Sequence, residues 1–296
     1  MTSAPPSLDE LRREIDAIDD ALHDLLMRRA AVVERVGIAK AGSASLRPAR
    51  EALILRRLLT RHKGPFPRAV LVRIWREILS ASVRLQGSFS VAVPTDPDHV
   101  GLDYWTVARD AFGSQTPIAD YRSAEQVVLA VKEGAATVGV LPLPSEDDQT
   151  PWWPGLFVQG EGMPRVIARL PFGPPGIHRG LASEALAIAR TEQAATGDDH
   201  SFVAVETDEA LSRSRVADVL RKAGLAAGFV TTWRGRERSE TALHLAEIRG
   251  YVAANDQRLA DLSAGGAVRQ VLQVGGYASP LSGASLADAV TTPAAD

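Results

Sequence analysis

Two cations in the first ninety residues stand at a spacing that a single helix would turn into one site. Arg29 and Lys40 are eleven residues apart, and at 100° per residue this returns them to within about 20° of one helical face. Arg12 precedes Arg29 by seventeen residues, about 100° around the same helix. It therefore points elsewhere and suits a site in a neighbouring subunit. Arg50-Glu51 opens a second helical stretch, and Ser82 and Gln86 share one face of a third at i, i+4. Several donors with one carboxylate are what a dicarboxylate bearing a hydroxyl and an ether oxygen requires.

The elements that must carry these groups are legible as periodicity. Leu8, Leu11, Ile15, Ile18, Leu22, Leu25, Leu26, Val33 and Val36 recur at three- and four-residue spacing, so residues 7–41 read as one long amphipathic helix. Ser7 can cap it, and Asp9 and Glu10 suit the positive end of its dipole. Residues 41–45 read as a loop, a second helix runs from Pro48 to Arg61, and Lys63-Gly-Pro-Phe-Pro67 breaks it before a third from Arg68 to Leu85. A helix of about 50 Å cannot bury its apolar stripe against two shorter ones. Dimerisation is the simplest remedy. Periodicity alone leaves open a coiled-coil interaction module without chemistry.

Composition narrows the chemistry further. The chain has 296 residues, 45% of them hydrophobic and 23% charged, a globular balance long enough for more than one core. With no cysteine, thiol catalysis, disulfides and cysteine-ligated metal are excluded. The six histidines lack ligand spacing, and no metal is expected. Residues 1–90 carry a net charge of +6 against −9 for the remainder. Aromatic residues interleaved with those arginines are nearly absent, so a small anionic substrate is expected rather than nucleic acid. No run approaches the ~20 apolar residues that cross a bilayer, and the start lacks a signal-peptide pattern. A cytoplasmic protein without membrane contact is expected.

The pattern Leu11-Arg12, Ile15, Ile18-Asp19, Leu25-Leu26, Arg29, Val36-Gly37, Lys40, Arg47-Pro48-Ala49-Arg50-Glu51, Ser82 and Gln86 resembles the all-helical class of chorismate mutase. The resemblance implies a cofactor-free rearrangement of chorismate to prephenate in a homodimer with shared sites. Arg12 of the neighbouring subunit and Arg29 would then hold the two carboxylates, with Arg50 assisting and Ser82 adding a polar contact. Lys40 and Gln86 would donate to the breaking ether oxygen, and Glu51 would accept from the ring hydroxyl. A pericyclic reaction needs only a folded conformer and donors aimed at the growing charge. Arg47 stands where some members of the class carry an acid. The helical fold is shared by a lyase acting on isochorismate. On this reading the three helices alone make the interface and the site.

Beyond Ser88 the texture becomes α/β. Strands are expected at 90–93, 137–141, 165–170 and 185–189, with a helix at 124–133. A second series has strands near 201–206, 227–233, 241–249 and 269–274 and helices near 211–223 and 255–264, the order of a ferredoxin-like split βαβ. The stretch from Trp75 onward resembles the P-protein family, a fusion of chorismate mutase, prephenate dehydratase and an ACT domain. The implied fold is multidomain: an all-α three-helix dimeric mutase domain over 1–88, an α/β single-lobe dehydratase remnant over 89–195, an ACT-like domain over 196–283 and a disordered tail over 284–296. The dehydratase signature is broken. Pro142-Leu-Pro-Ser-Glu146 stands where the family has an amide-bearing stretch, Ser183-Glu184-Ala185 where it has Thr-Arg-Phe, and only a short connection between Leu170 and Ala185 where it inserts a second lobe. Val271–Tyr277 resembles the closing ACT strand, but Glu209-Ala-Leu-Ser212 and Thr231-Thr-Trp-Arg234 replace its ligand motifs. A mutase without dehydratase activity is expected. The alternatives are a bifunctional enzyme and a non-catalytic helical dimer sensing an aromatic metabolite.

Overall fold

The computed structural model describes residues 6–40, 46–95, 103–146, 148, 150–173, 184–235 and 240–286. In chain order these are α1 (Leu8–Ala39), α2 (Pro48–Arg61), α3 (Arg68–Arg84), β1 (Val91–Pro94), α4 (Tyr104–Phe112), β2 (Ile118–Tyr121), α5 (Ala124–Glu133), β3 (Val138–Pro142), β4 (Arg165–Leu170), β5 (Ala185–Ala189), β6 (Asp199–Asp208), α6 (Arg213–Lys222), β7 (Ala227–Trp233), β8 (Thr241–Arg249), α7 (Gln257–Ala264), β9 (Gln270–Ala278) and α8 (Gly283–Leu286). A short 3-10 turn at Trp153–Leu156 follows β3. The expected loop at 41–45, Ser183 and the tail beyond residue 286 lie outside the described residues.

Two compact units divide the chain: Met1–Ser45 with Ala81–Ser88, and Leu46–Ser80 with Phe89–Asp296. In the first, Ser7 accepts from the Glu10 backbone N–H at 3.3 Å while the Glu10 carboxylate takes the Ser7 N–H at 2.8 Å, a reciprocal cap that starts α1. Of its 32 residues only Gly37 is buried. Ile15, Ile18, Leu22 and Leu25 each leave more than half of their surface exposed.

The second unit holds nine strands in one sheet, ordered β2-β1-β3-β5-β4-β9-β6-β8-β7. The strands β2, β1 and β3 are parallel, and β5 runs antiparallel between β3 and β4. The final four, β9-β6-β8-β7, are antiparallel and have the split βαβ strand order, with α6 and α7 covering a core that includes Val203, Val216, Leu220 and Ile248. The joint between the halves is the parallel contact of β4 with β9 at Val166 and Gly275. Gly275 has φ +117°, and a Cβ there would stand 2.2 Å from Val166 backbone atoms. Glycine alone lets the strands meet.

Three features of this packing are not announced by local sequence patterns. Strands from both sides of residue 195, β1–β5 and β6–β9, share one sheet. Helix α2 belongs with the sheet: Ala52, Leu55 and Leu59 form one buried cluster with Val72 and Leu79 of α3 and with Phe172 and Ala278. Arg56 reinforces that docking, donating to Thr196 Oγ1 at 2.9 Å and to the Ser279 carbonyl at 2.8 Å. This core joins residues from both sides of residue 88. Residues 284–286, expected in a disordered tail, belong to the helical turn α8, whose Leu286 packs on the same cluster and whose Ser285 carbonyl accepts from Arg68 at 3.2 Å.

Candidate active site

In the first unit, three of the expected residues come together. The Arg29 guanidinium donates a short hydrogen bond to Ser82 Oγ, and the Gln86 amide donates to the Ser82 carbonyl at 3.0 Å, one turn back along its helix. Ser82 is buried, and burial lowers the affinity of the Arg29 guanidinium for its proton. Gly37 explains how α1 comes so close: a Cβ at this position would lie 2.9 Å from the Gln86 Cα. Sequence periodicity gives no hint of that role. Lys40 caps the C-terminal end of α1, its backbone N–H donating to the carbonyls of Val36 and Gly37 at 3.2 and 3.1 Å.

Arg12 lies apart. Seventeen residues of helix place it about 25 Å along α1 from Arg29, and its exposed side chain pairs with Asp9 at 3.4 Å. It shares no pocket with Arg29 in one chain.

In the second unit, α2 begins at Pro48 with no side-chain cap on its N-terminus. Arg50 is exposed there and, with Arg47, lines a cavity of about 450 Å³ whose other walls include Leu53, Ile167 and Tyr277. Glu51 lines a separate, smaller void with Arg76 and Phe172. Its carboxylate accepts from Arg76 Nη1 at 3.0 Å, and both side chains are about 15% exposed or less. Burial pushes the Glu51 carboxyl up, and the Arg76 charge pulls it back. Arg76 lies over the Phe172 ring, 5.0 Å from its centroid. Arg76 was not among the residues singled out from sequence; it stands 25 positions from Glu51 in the chain, where no local pattern links them.

The residues that stand at the family's dehydratase motifs make polar contacts within the sheet unit. The Ser145 carbonyl accepts from Thr231 Oγ1 at 3.0 Å, and Glu146 pairs closely with Arg213, so this stretch is tied into the sheet unit. Glu184, an acid where the family motif has arginine, accepts from Arg169 at 3.0 Å. Among the described residues no group of three or more His, Cys, Asp or Glu side chains could hold a metal ion, and no helix is long and apolar enough to cross a membrane.

Residues 11–87 match the family described as chorismate mutase type II, so the chain carries a domain of that isomerase family. Among curated proteins it is similar to those named bifunctional chorismate mutase/prephenate dehydratase. The Aquifex aeolicus protein is 33% identical over 147 residues, 46% of this chain and 38% of its own length. The Stutzerimonas stutzeri protein is 29% identical over 148 residues, covering 48% and 40%. The chain thus spans about two fifths of the relatives it matches. Among solved structures, a prephenate dehydratase from Arthrobacter aurescens in complex with L-Phe covers 69% of this chain and 93% of its own, at 13% identity and a TM-score of 0.46.

Proposed function

We propose that this chain is a chorismate mutase, rearranging chorismate to prephenate in aromatic amino-acid biosynthesis. The observation that carries the reading is the grouping of Arg29, Ser82 and Gln86, with Lys40 at the end of the same helix, inside the matched residues 11–87. In this proposal Arg29 and the partner subunit's Arg12 hold the substrate carboxylates, Arg50 assists, and Ser82 fixes the Arg29 guanidinium. Lys40 and Gln86 donate to the ether oxygen as its bond breaks, and Glu51 accepts from the ring hydroxyl. Gln86 is an uncharged amide, so its donation to the growing charge needs no proton transfer.

The proposed assembly is a cytoplasmic homodimer, because the apolar stripe of α1 requires a helical partner and Arg12 serves only a site other than its own. Residues 1–88 form the proposed mutase domain, 89–195 a dehydratase-like lobe without its chemistry, and 196–283 an ACT-like domain. What supports that reading is the sequence itself, with Pro142-Leu-Pro-Ser-Glu146 and Ser183-Glu184-Ala185 standing where the family has its amide-bearing and Thr-Arg-Phe stretches. The full-length protein incubated with chorismate at neutral pH should yield prephenate and stop there. Absence of prephenate would refute the mutase. Phenylpyruvate formed in proportion to enzyme would refute the loss of dehydratase chemistry and favour the bifunctional activity for which the curated relatives are named.

A further inference from the structure

Gly37 stands in the last turn of α1 and is the one residue of that helix buried in the chain. Glycine is a poor helix former, so a glycine inside a helix points to a contact that a side chain would prevent. The contact is with Gln86, in the turn that closes α3. A Cβ on Gly37 would stand 2.9 Å from the Gln86 Cα and 3.3 Å from its Cγ. The nearer atom is main chain, which cannot rotate aside as the tip of a side chain can. A methyl group on Gly37 would therefore part the two segments by about half an ångström or more before ordinary carbon contact is reached.

Lys40 follows Gly37 by three residues, so it leaves α1 from the same face, about 4.5 Å further along. Arg29 lies eight residues before Gly37 on that helix, and its guanidinium holds Ser82, four residues before Gln86. The two cations thus ride on one rigid element and the amide on another. Their separation at this end is set where Gly37 meets Gln86. We infer that Gly37 is a positioning residue for the mutase reaction: by carrying no side chain it brings the Gln86 amide within reach of the ether oxygen that Lys40 also serves. The inference rests on the mutase reading above and adds to it the element that sets the spacing of the two donors. Opening the contact at Gly37 would withdraw Gln86 while Arg29 and Lys40 keep their register on α1. Anchoring of a substrate carboxylate by Arg29 would persist, and one donor to the transition state would be lost.

The test is kcat and KM for chorismate, with thermal melting, in full-length wild type, Gly37→Ala, Gln86→Ala, Lys40→Ala and the two double variants that add Gly37→Ala to each of the others. Gly37→Ala should lower kcat about tenfold or more, since a misplacement of about 1 Å is worth up to about 10²-fold. KM should stay within about twofold of wild type, as for an interaction made only in the transition state. The melting temperature should not fall, because alanine is the better helix former. Added to Gln86→Ala, the same substitution should change kcat by less than about twofold, because the group it displaces is already gone. Added to Lys40→Ala, it should again take its full toll. A general disturbance of the helices would lower kcat alike in both backgrounds. An equal loss in the Gln86→Ala background, an unchanged kcat in Gly37→Ala, or a Gly37→Ala protein that does not fold overturns the positioning role. A wild type inert toward chorismate refutes the mutase reading itself.

Discussion

Helices α1 and α2 both carry residues of the proposed site, yet they are stabilised in opposite ways. Helix α1 runs 32 residues with Gly37 alone buried and a row of leucines and isoleucines left in solvent. Helix α2, at 14 residues, buries Ala52, Leu55 and Leu59 within the chain and pins itself to the sheet unit through Arg56. Helical stability comes chiefly from packing an amphipathic face. One helix finds that packing inside its own chain, and for the other the proposed dimer would supply it. On that proposal half of the site is supported by the fold and half by assembly.

The comparison breaks most severely if the sheet unit is removed. Residues 1–90 alone would expose Leu55 and Leu59, each worth roughly 1.5–3 kcal/mol when buried. The sequence reading has this fragment as a self-sufficient dimer. The packing of α2 with Phe172 and Ala278 leads instead to a loosened fragment with little mutase turnover. Circular dichroism melting and chorismate turnover of the fragment beside the full chain check this, and a cooperative melt with near-native turnover would restore the self-sufficient bundle.

A smaller effect sharpens the same contrast, since the sheet unit closes its polar groups upon themselves. His244 is fully buried, its Nε2 3.0 Å from Thr207 Oγ1 and its Nδ1 2.8 Å from Thr232 Oγ1. Burial, with the Arg234 charge, pulls its pKa down to about 4 from an ordinary 6.5. The unfolded chain then binds the proton more tightly between those values, so the stability due to the neutral imidazole is present above 6.5 and lost as pH falls toward 4. Wild type should therefore lose about 2 kcal/mol of its advantage over His244→Asn between pH 7 and pH 5. Urea unfolding of both proteins at each pH measures it. A gap that stays constant would mean the imidazole is not held neutral.

How far these features could be read from sequence depends on their range. Helix α2 and strands β4, β5, β7 and β8 lie where residues 48–61, 165–170, 185–189, 227–233 and 241–249 suggest, because turn residues and apolar runs mark them locally. Strand β2 escapes that reading: it is an edge strand with no buried residue, so Ile118–Tyr121 carries no apolar run. The short α4 is hidden for a different reason. It mixes Tyr104, Val107 and Phe112 in its buried face with Trp105 and Arg109 outside, too brief a pattern to count turns. The union of β4 with β9 and the pairing of Glu51 with Arg76 join residues far apart in the chain, and nothing local announces either. The cations of the candidate site were legible because one helix sets their spacing. The carboxylate's environment was not, since it is made by three separate segments.

The central claim, that α1 completes its site only with a second copy, is tested most directly by mixing two inactive proteins. Full-length Arg12→Ala and Lys40→Ala should each be nearly inactive, as loss of one aimed donor costs on the order of 10²-fold or more. After subunit exchange, mixed dimers should recover up to about half of the wild-type activity per dimer, because one of their two sites then holds both native residues. Recovery of that kind is what this account predicts. Demonstrated exchange with no recovery would contradict it, placing Arg12 outside the partner's site.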